Sequence, residues 1–221
     1  MKREIITTAD GSKTIQITDW NEQYHSKHGA VQEAYHVFIS NGLDLFKNKK
    51  VNLLEIGFGT GLNALITLME GEKRNLEIYY KGVEAYPVSL KEIEELDYLS
   101  ALDGVDVKDG FKKMHDSHWQ EEVKINSSFT LFKDKRDFKR IADQNLFDLI
   151  YFDAFGARVQ PELWTVTIFE KMFKALRVGG YLVTYAAKGS VRRAMQEVGF
   201  LVERLPGPPG KREMLRARKP I

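Results

Sequence analysis

The sequence predicts a doubly wound α/β domain with a mostly parallel sheet. Apolar, β-rich runs alternate with helix-period stretches from about residue 50 onward, the pattern of βαβ units. One run, FDLIYF at 147–152, is too apolar to have a wet face, which places it at the sheet centre. Two closing runs, 200–205 and 213–217, flank a Pro/Gly turn at 206–210 and are expected to pair as an antiparallel hairpin.

Taken in order, the first strand is expected at 51–56, followed by a glycine-rich turn and a helix over 62–69. A second strand covers 76–84, with its helix at 89–99, and a short third strand covers 129–133. The stretch 161–176 carries Leu163, Trp164, Ile168, Phe169, Met172, Phe173 and Leu176 at helical spacing. Gly179-Gly180 is expected to end that helix as a left-handed cap. A strand at 181–186 and a helix at 190–198 precede the closing pair. Residues 1–50 are read as an N-terminal extension or cap, and 51–221 as the main domain.

Composition narrows the function classes. Hydrophobic residues at 43% and charged residues at 29% fit a globular protein. The absence of cysteine excludes disulfides, thiolate metal sites and thiol nucleophiles, and no metal is expected. The polar start, MKREIITTADGSK, has no signal-peptide character. No apolar run is long enough to span a bilayer, so no membrane partner and a cytoplasmic location are expected. Net charge is only +2, yet the segment 191–221 holds eight Lys or Arg against three Glu. Such a basic face attracts phosphates; a merely solvated terminus is the competing reading.

The strongest local signal is LEIGFGTGLN at 54–63. Glycines at alternate positions let the backbone turn sharply and approach a ligand closely. Nicotinamide, flavin and adenosylmethionine enzymes all use such loops. Here Gly57, Gly59 and Gly61 form G-x-G-x-G, not the dinucleotide G-x-G-x-x-G, and Glu55 sits just before them. A carboxylate there repels a diphosphate but attracts the ammonium and sulfonium of S-adenosyl-L-methionine. Glu84 lies 23 residues beyond Gly61, where an acid accepting from ribose hydroxyls is expected. The candidate cofactor site is therefore Glu55, Gly57, Phe58, Gly59, Thr60, Gly61, Asn63 and Glu84. Asp134, just after the third strand, is a candidate acceptor for the adenine amino group. It stands among Lys133, Lys135 and Arg136, so a salt-bridged loop acid competes with that role.

The central strand ends in YFDAFG at 151–156. Ligands of open α/β sheets bind at the carboxyl ends of the strands, so Asp153 is the candidate catalytic residue. An amine must lose its proton before it can accept a methyl group, and a carboxylate can hold the amine and take that proton. A structural carboxylate is the alternative.

Several motifs together resemble one family. They are EIGFGTGLN at 55–63, VEAYP at 83–87, YFDAFGARVQPELWT at 151–165 and LRVGGYLVTY at 176–185. Val191-Arg192-Arg193, Gly199-Phe200 and GKREM at 210–214 extend the likeness, as does the stretch from Tyr24-His25-Ser26 to His36-Val37-Phe38. From about residue 20 to 217 the chain resembles the MnmC-type tRNA (5-methylaminomethyl-2-thiouridine) methyltransferase domain, in a stand-alone form without the oxidase domain. That resemblance implies a class I (Rossmann-like) methyltransferase fold, with S-adenosyl-L-methionine as donor. It also implies methylation of the 5-aminomethyl group of the tRNA wobble uridine. Asp153 matches the family's active-site aspartate, and Glu55, Gly57, Gly59, Gly61 and Glu84 match its cofactor motif. The chain departs from the family in having Ala154 and Gly156-Ala157 where Gly and then Ala-Pro are usual.

The tRNA anticodon loop is the expected partner, met by Arg192, Arg193, Lys211 and Arg212 at the rim of the cleft. Other readings remain at this stage: a small-molecule amine methyltransferase, which Asp153 suits equally well, a nicotinamide-dependent oxidoreductase, and a non-catalytic interaction protein. Steep salt dependence of RNA binding separates the first of these from a tRNA enzyme.

Overall fold

A computed structural model describes residues 2–102 and 107–221. Eight strands form the main sheet: β4 (Lys50–Ile56), β5 (Glu77–Glu84), β6 (Glu122–Lys124), β7 (Phe129–Lys135), β8 (Phe147–Phe152), β9 (Leu176–Thr184), β10 (Leu201–Pro206) and β11 (Glu213–Arg218). Their spatial order is β10-β11-β9-β8-β4-β5-β7-β6. The five inner strands β9, β8, β4, β5 and β7 run parallel. β11 inserts antiparallel to β9 and carries β10 antiparallel on its outer side. Between β8 and β5, β4 occupies the switch point at which the sheet's winding reverses.

Both faces of the sheet are covered, which is why its inner strands are nearly continuous in apolar residues. On one face Leu53, Tyr80, Leu131 and Tyr151 pack with α2 (Leu62–Lys73) and α5 (Lys108–Asp116). On the other, Leu54, Ile150, Phe152 and Leu182 pack with α6 (Val166–Ala175) and α7 (Gly189–Glu197). Neighbours in sequence thus serve opposite cores, as period-two alternation requires.

Residues 2–49 precede β4 and pack into the same core, where Ile15, Val37 and Phe38 join Leu53 and Tyr151. Strands β1 (Arg3–Thr7), β2 (Lys13–Ile17) and β3 (Glu22–Gln23) form a small antiparallel sheet. Helix α1 (Ala30–Ala34) continues into a π-helical turn, Tyr35–Ser40. Polar contacts add to this apolar packing. Arg3 pairs with Glu92, and its Nη2 donates to the Tyr86 carbonyl. Arg158 Nη2 donates to Glu22 and to the carbonyls of Trp20 and Asn21.

Several elements differ from the sequence expectation. The helix expected over 89–99 is broken into α3 (Leu90–Leu96) and α4 (Tyr98–Ala101) by Asp97 in the left-handed region. Leu96 and Tyr98 are both fully buried, and two residues of one helix spaced by two would point to opposite sides. The break lets both face inward. The helix expected over 161–176 starts as a 3-10 turn, Pro161–Trp164, and becomes α-helical only at Val166. Trp164 Nε1 donates to the Phe155 carbonyl and holds that turn in place.

Gly179-Gly180 does not cap a helix. Helix α6 ends at Ala175, and the pair lies inside β9, where the register against β8 jumps between Phe147 and Leu149. Gly179 takes φ +78°, forming a bulge in the strand. A Cβ at Gly180 would lie 2.9 Å from the Arg177 carbonyl and 3.1 Å from that of Asp148. The third main strand runs two residues beyond 133, so Asp134 is a strand residue, and the edge strand β6 had no sequence signal. Because backbone closes on Gly180 from both sides, Gly180→Ala should destabilise the fold by about 1–3 kcal/mol through overpacking. Urea unfolding checks this, and an unchanged midpoint would show that the bulge yields.

Candidate active site

The carboxyl ends of β4, β5 and β8 meet beneath a cavity of about 470 Å³. The floor follows from backbone geometry. After β4 the chain turns through Gly57, Gly59 and Gly61 at φ +91°, +52° and +75°, a region that disfavours side chains. A Cβ at Gly57 would stand 2.5 Å from the Asp153 carbonyl. Only glycine lets the loop pass this close to the end of β8. The Gly57 and Phe58 amides both donate to the Val83 carbonyl, and the Gly59 amide donates to Glu84 Oε2 at 3.0 Å. The loop is thereby tied to β5.

The sequence-proposed residues divide into three groups. Gly57, Gly59, Glu84, Asp153 and Lys211 line the cavity. Glu55, Phe58, Thr60, Gly61 and Asn63 form the layer behind it. There Phe58 packs against Gly82, and Thr60 Oγ1 accepts from Tyr98 and hydrogen-bonds to His25. Asp134 lies apart, fully buried between Lys81 and Arg136, with Gln120 Nε2 donating to it. That matches the salt-bridged alternative, although on a strand. Among the basic residues, Arg192 is half-buried, Arg193 and Arg212 are exposed, and only Lys211 reaches the cavity.

Asn63 is the junction of the hidden layer. Its Nδ2 donates to Glu55 Oε1 at 2.9 Å and to Asp153 Oδ2 at 2.8 Å, while Tyr80 donates to the other oxygen of Glu55. Burial pushes the Glu55 carboxyl well above the usual carboxylate range, which favours its uncharged form. Glu55 therefore orients Asn63 and does not face the cavity. Glu84 is also raised by burial, opposed by the amides of Tyr86 and Gly59 that bond to it.

Asp153 is pushed up to about 7, chiefly by burial and next by the charge of Glu33, against the pull of Asn63 and Lys211. Glu33, from α1, also lines the cavity. Its Oε1 pairs with Lys211, and its Oε2 accepts from the Ser26 amide at 2.8 Å. Lys211 Nζ sits 3.9 Å from the centroid of the Tyr185 ring, whose hydroxyl donates to the Ala154 carbonyl. One end of the cavity thus holds two carboxylates and one ammonium, drawn from residues 33, 153 and 211.

Sequence reasoning passed over Glu33, Tyr185 and Asp137. Glu33 carries no local pattern. Asp137 follows β7 by two residues and lines the cavity beside Phe138; the signal was an acid at a strand end, and the strand boundary decided which acid. Tyr24 also lines the cavity, lies directly against Gly59 and meets Phe155 edge-on.

The raised Asp153 carboxyl fixes a pH signature. In the folded chain it keeps its proton up to about pH 7, whereas in the unfolded chain it ionises near 4. The native state therefore holds more protons between about pH 4 and 7, and this residue's contribution to stability falls as pH rises through that window. Asp153→Asn removes the penalty. The variant should melt roughly 2–8 °C above wild type at pH 8, with the gap closing towards pH 4. A lower melting temperature at pH 8 would contradict the assignment.

A family model described as S-adenosyl-L-methionine-dependent methyltransferase matches residues 106–220. The tRNA 5-methylaminomethyl-2-thiouridine biosynthesis bifunctional protein MnmC of Cupriavidus metallidurans is 28% identical over 216 residues, covering 90% of this chain and 31% of that protein. Its counterpart in Idiomarina loihiensis is 28% identical over 217 residues, covering 90% and 36%. The chain spans about a third of the length of these relatives. MNMC2 from Aquifex aeolicus superposes with a TM-score of 0.75 at 26% identity, covering 98% of this chain and 69% of that one. A methyltransferase from Pyrococcus furiosus shares the fold at a TM-score of 0.53 and 20% identity, covering 93% of this chain and 91% of that one. With the family model covering its C-terminal half, and the glycine loop and Asp153 meeting at one cavity, the chain belongs to the S-adenosyl-L-methionine-dependent methyltransferases.

Proposed function

We propose that this enzyme methylates the nitrogen of the 5-aminomethyl group on the tRNA wobble uridine. The observation that carries the reading is the placement of Asp153, with its raised proton affinity, in the same cavity as the glycine loop. The relatives' names supply the RNA.

The cavity fits the methyl donor. Its volume of about 470 Å³ lies in the range of small-molecule sites. Gly57 and Gly59 leave backbone bare along one wall, and Glu84 presents oxygens where hydroxyls of a ribose need acceptors. Asp137 and Phe138 line the cavity and are the residues we assign to the adenine, whereas Asp134 does not line it. When bound, S-adenosyl-L-methionine supplies an electrophilic methyl group on a positively charged sulfur. The carboxylate of Glu84 on the cavity wall suits a ligand of that charge.

The chain's own residues then prepare the amine. Asp153 and Glu33 attract the incoming ammonium. Asp153 accepts its proton, directly or through water, and so frees the nitrogen lone pair. Asn63, held by Glu55, keeps the Asp153 carboxylate aimed into the cavity. Residues 2–49 supply Tyr24 and Glu33 to the cavity lining and act as a cap that limits water at the reacting atoms.

Asp153→Asn should leave S-adenosyl-L-methionine affinity little changed while turnover on tRNA falls by on the order of 10²–10⁴. In wild type kcat/KM should rise with pH through about 7, as Asp153 ionises, and the variant should lose that limb. Near-normal turnover would reduce Asp153 to a structural carboxylate.

The partner is tested separately. Glu203 and Glu213 are paired with Arg216 and Arg204, which leaves Arg193 and Arg212 outside those pairs. Neutralising both should weaken tRNA binding and flatten its log–log salt dependence by up to roughly 0.7–0.9 per lost phosphate contact, with cofactor affinity unchanged. Filter binding over a salt series decides this. Salt-insensitive binding by wild type would favour a small amine as substrate.

A further inference from the structure

A second groove opens off the active-site cavity beside the start of α7. It encloses about 450 Å³ and shares Gly156, Tyr185 and Lys211 with the cavity. Its floor is small and apolar: Ala157 follows β8, Ala186 and Ala187 follow β9, and Val191 lies in the first turn of α7. Its rim is cationic. Lys188 and Arg212 line it and are exposed. The one acid in its lining, Glu213, is already paired with Arg204. None of the floor residues takes part in the chemistry described above.

We infer that this groove binds the nucleotide adjoining the methylated nucleoside, with its base on the alanine floor and its phosphate between Lys188 and Arg212. The inference rests on the RNA reading and deepens it. A nucleoside inserted beside Asp153 remains tied to its neighbours by phosphodiesters, so the adjoining nucleotide must lie at the cavity mouth, where this groove begins. A floor without large side chains admits the flat face of a base, and single-stranded RNA is met through such splayed bases and through backbone phosphates. A small free amine would use neither the apolar floor nor the cationic rim. The groove therefore makes the site selective for a nucleotide within a strand over the same nucleoside alone.

The test compares an anticodon stem-loop bearing the 5-aminomethyluridine with loops in which the nucleotide on either side of it is abasic. In wild type one abasic change should lower kcat/KM about 10–100-fold, the scale of one stacked base. Ala187→Phe, which fills the groove, should lower kcat/KM for the intact loop to a similar level and no longer distinguish it from the abasic one. Lys188→Ala adds no bulk and should reduce the salt slope of loop binding. Retained S-adenosyl-L-methionine affinity shows that each variant is folded. Equal kcat/KM for intact and abasic loops in wild type overturns the inference while leaving the RNA reading standing. So does an Ala187→Phe enzyme that still tells the loops apart, or an unchanged salt slope in Lys188→Ala. A wild type that methylates none of the loops overturns the RNA reading, and the groove with it.

Discussion

The site depends on how closely the ends of β4 and β8 approach one another. The Asp153 amide donates to the Ile56 carbonyl, and the next residue of the β4 turn, Gly57, leaves no room for a side chain against the Asp153 carbonyl. That single contact lets the glycine loop and the Asp153 carboxyl share one wall of the cavity. Without it the glycine loop would sit higher, and Asn63 at the start of α2 would lose its reach to Asp153. The parallel sheet supplies the alignment, since β4 and β8 are paired in register up to Ile56 and Phe152.

A buried polar layer turns that geometry into chemistry. Tyr80 on β5, Glu55 on β4 and Asn63 on α2 form a chain of hydrogen bonds ending on Asp153. Buried polar groups are costly unless partnered, and here the partners come from three different elements. The cost of burial appears as raised proton affinity at both carboxyls of this chain. At Glu55 burial raises the carboxyl well above its usual range, and at Asp153 it raises the carboxyl to about 7. Identical side-chain chemistry takes two roles because one carboxyl is sealed and the other opens on the cavity.

Much of this was legible in the sequence because it depends on local pattern. Alternation and apolar runs located the inner strands, and the glycine spacing with Asp153 at the end of FDLIYF located the cavity. What escaped depends on tertiary demands. Asp97 breaks a helix so that Leu96 and Tyr98 can both be buried, and Gly179-Gly180 absorbs a register change against β8; neither requirement shows in a window of sequence. The exchange of Asp134 for Asp137 on the cavity wall follows from a strand two residues longer than its apolar run. Glu55 was singled out from the glycine motif, but its burial behind the cavity, which raises its proton affinity, is not a property of the motif.

The pairing of Glu33 with Lys211 bridges 178 positions of sequence. Contacts of such separation form late, since the chain between them must be ordered before they can meet. During synthesis the glycine loop and the inner strands can assemble well before residue 211 has left the ribosome. The end of the cavity closed by Glu33 and Lys211 cannot. The cavity wall is thus complete only once the turn between β10 and β11 is in place.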